Sequence, residues 1–386
     1  MKSWDDLVGE AVEFRHELHR QPELTWQEFN TASLIQQQLT TLGIEWRPCA
    51  TTGTVATLAK EATGKHIALR ADIDALAITE AINESWASQK PGCMHACGHD
   101  GHTAALFATA CWLKQHEAAL PGPVTLLFQP AEEGGHGAKR MIEEGALDGV
   151  EEIYGWHNWP AIPYGQVLCP DGAVMAGNGT FEIVVRGQGG HASQPEACRD
   201  PILAAAAITQ ALQQIISRRL PPREAAVVSV TSIDGKSGDT VIPEIVTLGG
   251  SMRVTAIETR DVIGRLITDI ATDTARAHGV VAETTLFPRY NPTRNHPRQA
   301  EQLRSAIATE FGTHWECEDL DAPVMASEDF SYYLEAIPGA FALVGTHTGQ
   351  HYHEPCHSPH YRFNDAVIPQ VVRVFASVVG APAPPR

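Results

Sequence analysis

Apolar positions recur along this chain at two different intervals, and the change from one to the other marks its organisation. From residue 3 the interval is helical. Leu7, Ala11, Phe14 and Leu18 make one stripe, and Ser3 with Asp6 three residues on reads as its N-terminal cap. A second stripe, Ala32, Ile35, Leu39 and Leu42, follows a capping-box pattern of Thr25 and Glu28 and runs to Gly43, which suits a residue just past a helix end. Short apolar runs then replace the stripes. Residues 53–59 (GTVATLA), 66–70 (HIALR), 124–129 (VTLLFQ) and 152–156 (EIYGW) read as strands, with helix-length segments near 102–118 and 137–145 between them. Strands spaced by helices predict an α/β sheet covered on both faces.

The pattern changes near residue 178. A strand at 181–187 (FEIVVRG) precedes an Ala-, Leu- and Ile-rich helix over 200–219, strands at 225–233 and 245–254, a helix at 259–277 and a strand at 279–286. This β-α-β-β-α-β order is ferredoxin-like and predicts a small α+β domain inserted into the larger one. The chain then returns through a helix at 297–311, a loop at 323–332, a short strand (FALVG, 341–345) and a final helix. The expected division is 1–177, 178–289 and 290–386, the outer two segments forming one domain. Length agrees, because 386 residues exceed the size at which a single core keeps growing.

Composition narrows the partners more than the fold. The chain is 43% hydrophobic, and no run approaches the roughly 18 apolar residues of a membrane span. Its start, MKSWDDLVGEAV, carries acids where a signal peptide has an apolar core, so a cytoplasmic location is expected. The eight cysteines are then free thiols or ligands rather than a disulfide framework. A formal charge of −18 excludes nucleic acid and anionic membrane as partners, since both need a basic stripe.

Chemistry gathers at the ends of the predicted strands, where open α/β sheets place their ligand sites. HIALR runs into ADID with Asp72 and Asp74, VTLLFQ into PAEE, and EIYGW into His157. The string MHACGHDGH at 94–102 sets Cys97, His99 and Asp100 side by side, the thiolate, imidazole and carboxylate mixture that zinc and its first-row neighbours select. Glu132 and Glu133 sit in a Gly-flanked turn, where one can bind a cation and the other serve as general base. Residues 351–361 carry His351, His353, His357, His360 and Cys356; one histidine there is expected to bind metal, and chemistry alone does not choose it. His191, after a Gly pair in the inserted domain, suits a donor to a developing oxyanion, and Arg253 a clamp for a carboxylate or a partner in a surface ion pair. Together these loops predict a metal centre assembled by the fold and metal-dependent hydrolysis. A thiol mechanism with Cys97 as nucleophile beside a histidine is the competing chemistry.

In that order the chain resembles the aminoacylase-like metallo-amidohydrolases, and most closely the branch of hippurate hydrolase, N-acetyl-amino-acid deacetylases and plant indoleacetyl-amino-acid hydrolases. The likeness runs nearly end to end, through RHELHRQPEL, LRADIDAL, MHACGHDGHTA, QPAEEG, HNWP, GQGGHASQP, ASEDFSYY and HSPHYRFND. It implies an aminopeptidase-like catalytic domain, a mixed sheet covered by helices and holding two divalent ions (zinc, manganese or cobalt), with an inserted lid domain that commonly makes a homodimer contact. Carried over by motif, the ligands are Cys97, His99, Glu133, His157 and His357, the last because it occupies the H-S-P position. The resemblance makes Glu132 the general base, Asp74 the residue that orients it or a ligand, and His191, from its own or the partner subunit, the oxyanion donor. It implies hydrolysis of small N-acyl amino acids to a carboxylate and a free amino acid.

Overall fold

The computed structural model describes residues 2–349 and 351–386. They form two compact units. One comprises the chain up to Val174, then Thr293–Ala322 and Asp329–Arg386; the other comprises Met175–Pro292 and Pro323–Glu328. The chain begins with α1 (Trp4–Arg20), α2 (Phe29–Thr41), β1 (Trp46–Cys49), β2 (Gly53–Leu58), β3 (Ile67–Asp72), α3 (His99–Gln115), β4 (Val124–Gln129), α4 (Gly137–Glu143), β5 (Glu152–Pro163), β6 (Val167–Leu168) and β7 (Gly172–Met175). Next come β8 (Gly177–Arg186), β9 (Gly190–His191), α5 (Pro201–Leu212), β10 (Ala226–Asp234), β11 (Val241–Ile242), β12 (Ile245–Val254), α6 (Ile257–Ala277) and β13 (Val281–Pro288). It closes with β14 (Thr293–Asn295), α7 (Pro297–Phe311), α8 (Ser331–Ala336), β15 (Gly339–His347) and α9 (Val367–Val378).

The first unit is built on a seven-stranded sheet ordered β1-β2-β4-β3-β5-β15-β6. Its middle is parallel, β3 pairing with both β4 and β5, and β15 with β5, while β1, β2 and β6 join antiparallel. It is thus the expected mixed sheet. Every residue of β3 and β4 is buried, as strands covered on both faces require. α3 is buried along almost its whole length, which explains why its apolar residues wrap around it instead of forming a stripe.

Local signals decide the ends of these elements with mixed success. Ser3 caps α1, its hydroxyl accepting from the Asp6 amide at 3.1 Å. Gly43 takes a positive φ of 66° just past α2. The Thr25 and Glu28 capping box does not form. Thr25 donates to Asp74, and the Glu28 carboxylate accepts from Thr52 and Ala131 instead, so tertiary partners outcompete the local cap. β5 continues to Pro163, which puts His157 inside a strand and not past its end. The strands β1, β6 and β7 escape the periodicity because they are two to four residues long.

The second unit has the strand order β10-β12-β8-β13, antiparallel throughout. In chain order this is 2-3-1-4 with α5 and α6 as the crossovers, the ferredoxin-like arrangement. β8 and β12 alternate buried and open residues at period two, and Ile183, Val185, Leu248, Ile208, Ile263 and Ile267 share one core. The helix expected over 200–219 stops at Leu212 and continues as a π-helical turn, Ile215–Arg219. Gln213, Gln214 and Ser217 there bond back to carbonyls three or four residues earlier.

Candidate metal centre

Three loops and one strand of the first unit carry the predicted donors to one place. β3 ends at Asp72 and leads to Asp74; β4 ends at Gln129 and leads to Glu132 and Glu133; α3 starts at His99, one glycine after Cys97. The approach to α3 depends on Gly98, whose φ is +92° and whose hypothetical Cβ lies 2.3 Å from Asn158 Oδ1 and 2.5 Å from Tyr361 Oη. Only glycine combines that conformation with so close an approach.

Four overlapping triads of ligand atoms lie wholly within the first unit, the atoms in each within 4.8 Å of one another: Cys97, His99 and His157; Cys97, Glu133 and His357; His99, Glu132 and Glu133; and Asp72, His99 and His102. The first two share Cys97, so its sulfur stands between a His99/His157 pair and a Glu133/His357 pair. Cys97 Sγ is 3.4 Å from His157 Nε2, and His357 Nε2 is 3.1 Å from Glu133 Oε1. All five residues expected as ligands are therefore together. Four are mostly buried; the His357 side chain is 53% exposed and its backbone sits at φ +70°, a conformation rare for a residue with a Cβ.

Two of the imidazoles are oriented by their other nitrogen. His99 Nδ1 donates to the Asp74 carbonyl at 2.9 Å, and His157 Nδ1 donates to the Asn158 carbonyl at 2.6 Å, which frees both Nε2 atoms toward the cluster. His99 Nε2 is buried without a hydrogen-bond partner among the described residues; the nearest carboxylate oxygen, Asp72 Oδ2, is 3.6 Å away. An orphaned buried nitrogen among thiol, imidazole and carboxylate donors fits a bound cation.

The electrostatics differ from donor to donor. Burial, with His102 nearby, holds His157 well below the usual histidine range, so its ring is neutral and able to ligate. For His99 burial acts downward, but the Asp72 and Asp74 carboxylates prevail and lift it to about 10. A hydrogen bond with the Cys356 thiol, and then burial, push Cys97 well above the ordinary thiol range. A cation bound there would displace the proton of this thiol.

Asp74 grips the turn that carries the two glutamates. Its carboxylate accepts from the amides of Glu132 (3.1 Å) and Glu133 (3.0 Å) and from Thr25 Oγ1 (2.8 Å), and Oδ1 lies 3.3 Å from His99 Nδ1. Asp72 is committed elsewhere, to Arg70 and to His102 Nδ1, both at 2.6 Å. Asp100, grouped by sequence with Cys97 and His99, leaves the donor set and accepts from Arg15 at 3.0 Å and His19 at 2.8 Å. Consecutive residues at a helix start point in different directions, so Asp100 faces α1. Asn295 is structural: its amide pairs with both backbone groups of Phe341.

In the second unit, His191 lies on β9, its Nδ1 accepting from the Ser193 amide at 3.1 Å. That bond leaves the proton on Nε2, the arrangement an oxyanion donor needs. Arg253 is half-buried on β12 and donates to Ser327 Oγ at 2.9 Å; among the described residues no carboxylate pairs with it. Periodicity and donor counting overlooked His102 and Asn158, which bond to each other at 2.6 Å beneath the cluster, and the buried Arg15 and His19. The last two were open to detection as charged residues on the apolar side of α1, at i and i+4.

An α/β sheet whose strand ends bring thiol, imidazole and carboxylate donors to one buried point defines a metal-dependent hydrolase. Residues 68–381 match the model of peptidase family M20/M25/M40, and the chain belongs to that family. It is 40% identical over 374 residues to the IAA-amino acid hydrolase ILR1-like 2 of Arabidopsis thaliana, covering 95% of this chain and 84% of that one. It is 39% identical over 351 residues to the N-acetyl-L-cysteine deacetylase of Bacillus subtilis, covering 90% and 83%. Among solved structures, a Bacillus subtilis protein described as a dinuclear metal binding peptidase from the M20 family superposes with a TM-score of 0.82 at 33% identity, covering 97% and 98%.

Proposed function

We propose that this chain is an amidohydrolase that cleaves N-acyl amino acids, acetyl or aromatic acyl, to a carboxylate and a free amino acid. The observation that carries the reading is the sharing of Cys97 between two donor triads, which suits two adjacent cations of the zinc, manganese or cobalt kind. Relatives that act on indoleacetyl and acetyl conjugates support the substrate class. In this assignment Cys97, His99, Glu133, His157 and His357 hold the metal ions. When bound, the cations supply Lewis acidity toward the amide carbonyl and acidify water, whose pKa can fall to roughly 7.

The chain's own residues supply the rest. Glu132 takes a proton from the attacking water and delivers it to the amide nitrogen as the C–N bond breaks. Its Oε1 accepts from the Asp329 amide at 3.3 Å, and Asp74 fixes the backbone that carries it. His191 donates Nε2–H to the oxyanion of the tetrahedral intermediate, a contribution of roughly 3–4 kcal/mol for a well-placed donor. The inserted domain, residues 178–289, provides this group, and the exposed Val281, Leu286 and Phe287 of β13 support a homodimer formed through it. Eight free thiols accord with work in the cytoplasm, and among the described residues no helix is long and apolar enough to cross a membrane.

The test is Glu132→Gln assayed with metal content. The variant should hold as much zinc, manganese or cobalt as the wild type by elemental analysis, yet turn over N-acetylcysteine and hippurate at least about 1,000-fold more slowly, within the range for loss of a general base and its positioning. Turnover near the wild-type rate removes Glu132 from the chemistry. Wild-type activity that survives thorough chelation removes the metal.

A further inference from the structure

The turn that presents Glu132 and Glu133 is held by two buried carboxylates, and only one belongs to the centre just described. Three successive amides, those of Ala131, Glu132 and Glu133, donate to carboxylate oxygens: the first to Glu28 Oε1 at 2.9 Å, the other two to Asp74. Ala131 is fully buried at φ +56°, a left-handed conformation that a residue with a Cβ avoids unless its surroundings impose it. Glu28 is fully buried too, and its second oxygen accepts from Thr52 Oγ1 at 2.7 Å. Thr52 follows two further left-handed residues, Ala50 and Thr51. The Glu28 carboxylate thus ties the start of α2, the loop before β2 and the turn after β4 together. It hydrogen-bonds to no residue of the donor triads, so its hydrogen-bonded grip on them passes through Ala131.

We infer that Glu28 is a positioning residue for hydrolysis: by gripping the Ala131 amide it holds the left-handed backbone that aims Glu132 and Glu133. The inference rests on the proposed reading of those two glutamates. Glutamine keeps the geometry, since its carbonyl can accept from Ala131 and its amide can donate to the Thr52 hydroxyl. Alanine releases the turn. Glycine at 131 takes a positive φ without strain and restores part of what alanine at 28 loses.

The experiment compares metal-loaded wild type, Glu28→Gln, Glu28→Ala and the double variant Glu28→Ala with Ala131→Gly. It measures metal content, kcat and KM on N-acetylcysteine and hippurate, and amide exchange by mass spectrometry. Glu28→Ala should keep its metal and its KM within about threefold while kcat falls about 100-fold, the scale of a small misplacement of a reacting group. Glu28→Gln should stay within about fivefold of wild type, and glycine at 131 should recover about tenfold. Exchange should accelerate in the peptide spanning 130–134 of Glu28→Ala and stay unchanged in Glu28→Gln. Unaltered exchange there, loss of metal with the turn intact, or an unchanged kcat overturns the inference. Should wild type turn over neither substrate, the functional reading fails by itself, and the exchange data alone then decide whether Glu28 grips the turn.

Discussion

Glu28 also shows how one buried carboxyl couples stability to pH. Burial pushes it up to about 7, Asp74 nearby adds to the rise, and the bonds from Thr52 and Ala131 only partly oppose it. An unfolded glutamate titrates near about 4.3, so between roughly pH 4.5 and 7 the folded chain holds more protons than the unfolded one. Stability from this group is fully present below that window and is lost as pH rises through it. Glu28→Gln, which cannot titrate, should therefore gain on wild type across the window by on the order of 3 kcal/mol and keep a constant margin above it. Urea titrations of both proteins at matched metal load, from pH 4.5 to 8, read the difference directly. A flat difference means the Glu28 carboxyl does not change charge there. Asp100 works in the opposite direction: although burial opposes its charge, His19 and Arg15 hold its carboxyl well below the usual range, so its contribution is lost only as the solution turns strongly acid.

At the scale of elements, the site depends on how α3 begins. His99 is its first residue, and the carbonyl of Gly98 accepts from the His102 amide at 3.1 Å, so the turn and the helix start are one object. Gly98→Ala forces a Cβ into the Asn158 amide and the Tyr361 hydroxyl, and it strains a positive φ as well. Destabilisation by about 2–4 kcal/mol and a weaker metal affinity are expected, read from thermal melts and competitive metal titration. Unaltered melting and affinity would show that the backbone relaxes around the new methyl. The same region explains what the sequence did and did not disclose. Glu132, Glu133 and His157 were legible because they follow or occupy strands whose apolar runs are plain, and Cys97 and His99 because donors of matched chemistry stand one residue apart. His357 was not, because four histidines share 351–361 and only the resemblance to known motifs chose between them. Asp100 misled because adjacency in sequence says nothing of direction once a helix starts. Thr25 and Glu28 fit a local capping pattern, but their side chains serve contacts 49 and 103 residues away, which no local pattern encodes.

At the scale of the whole molecule, the two units divide the proposed chemistry between them. The apolar core of the first draws nothing from residues 176–292, and that of the second draws on nothing outside 181–282. Cys97, His99, Glu132, Glu133, His157 and His357 belong to the first unit, His191 to the second. β7 and β14, which flank the insertion, are hydrogen-bonded neighbours, so the first unit releases and receives the chain at one spot. Replacing 176–292 by a short Gly-Ser linker should therefore close a hairpin-like connection at little cost in loop entropy, which grows only slowly with length. The shortened protein is expected to fold, to keep its own metal complement by elemental analysis, and to lose at least about 100-fold in kcat, since removing one oxyanion donor alone costs that much. Adding back His191 on a separate 175–292 chain, the second unit without its 323–328 segment, should not restore the rate, because tethering and not mere presence sets its effective concentration. If the shortened protein folds but binds no metal, the donors are held by more than their own unit. If it binds metal and turns over at the full rate, His191 has no part in the reaction, and the metal centre with Glu132 suffices.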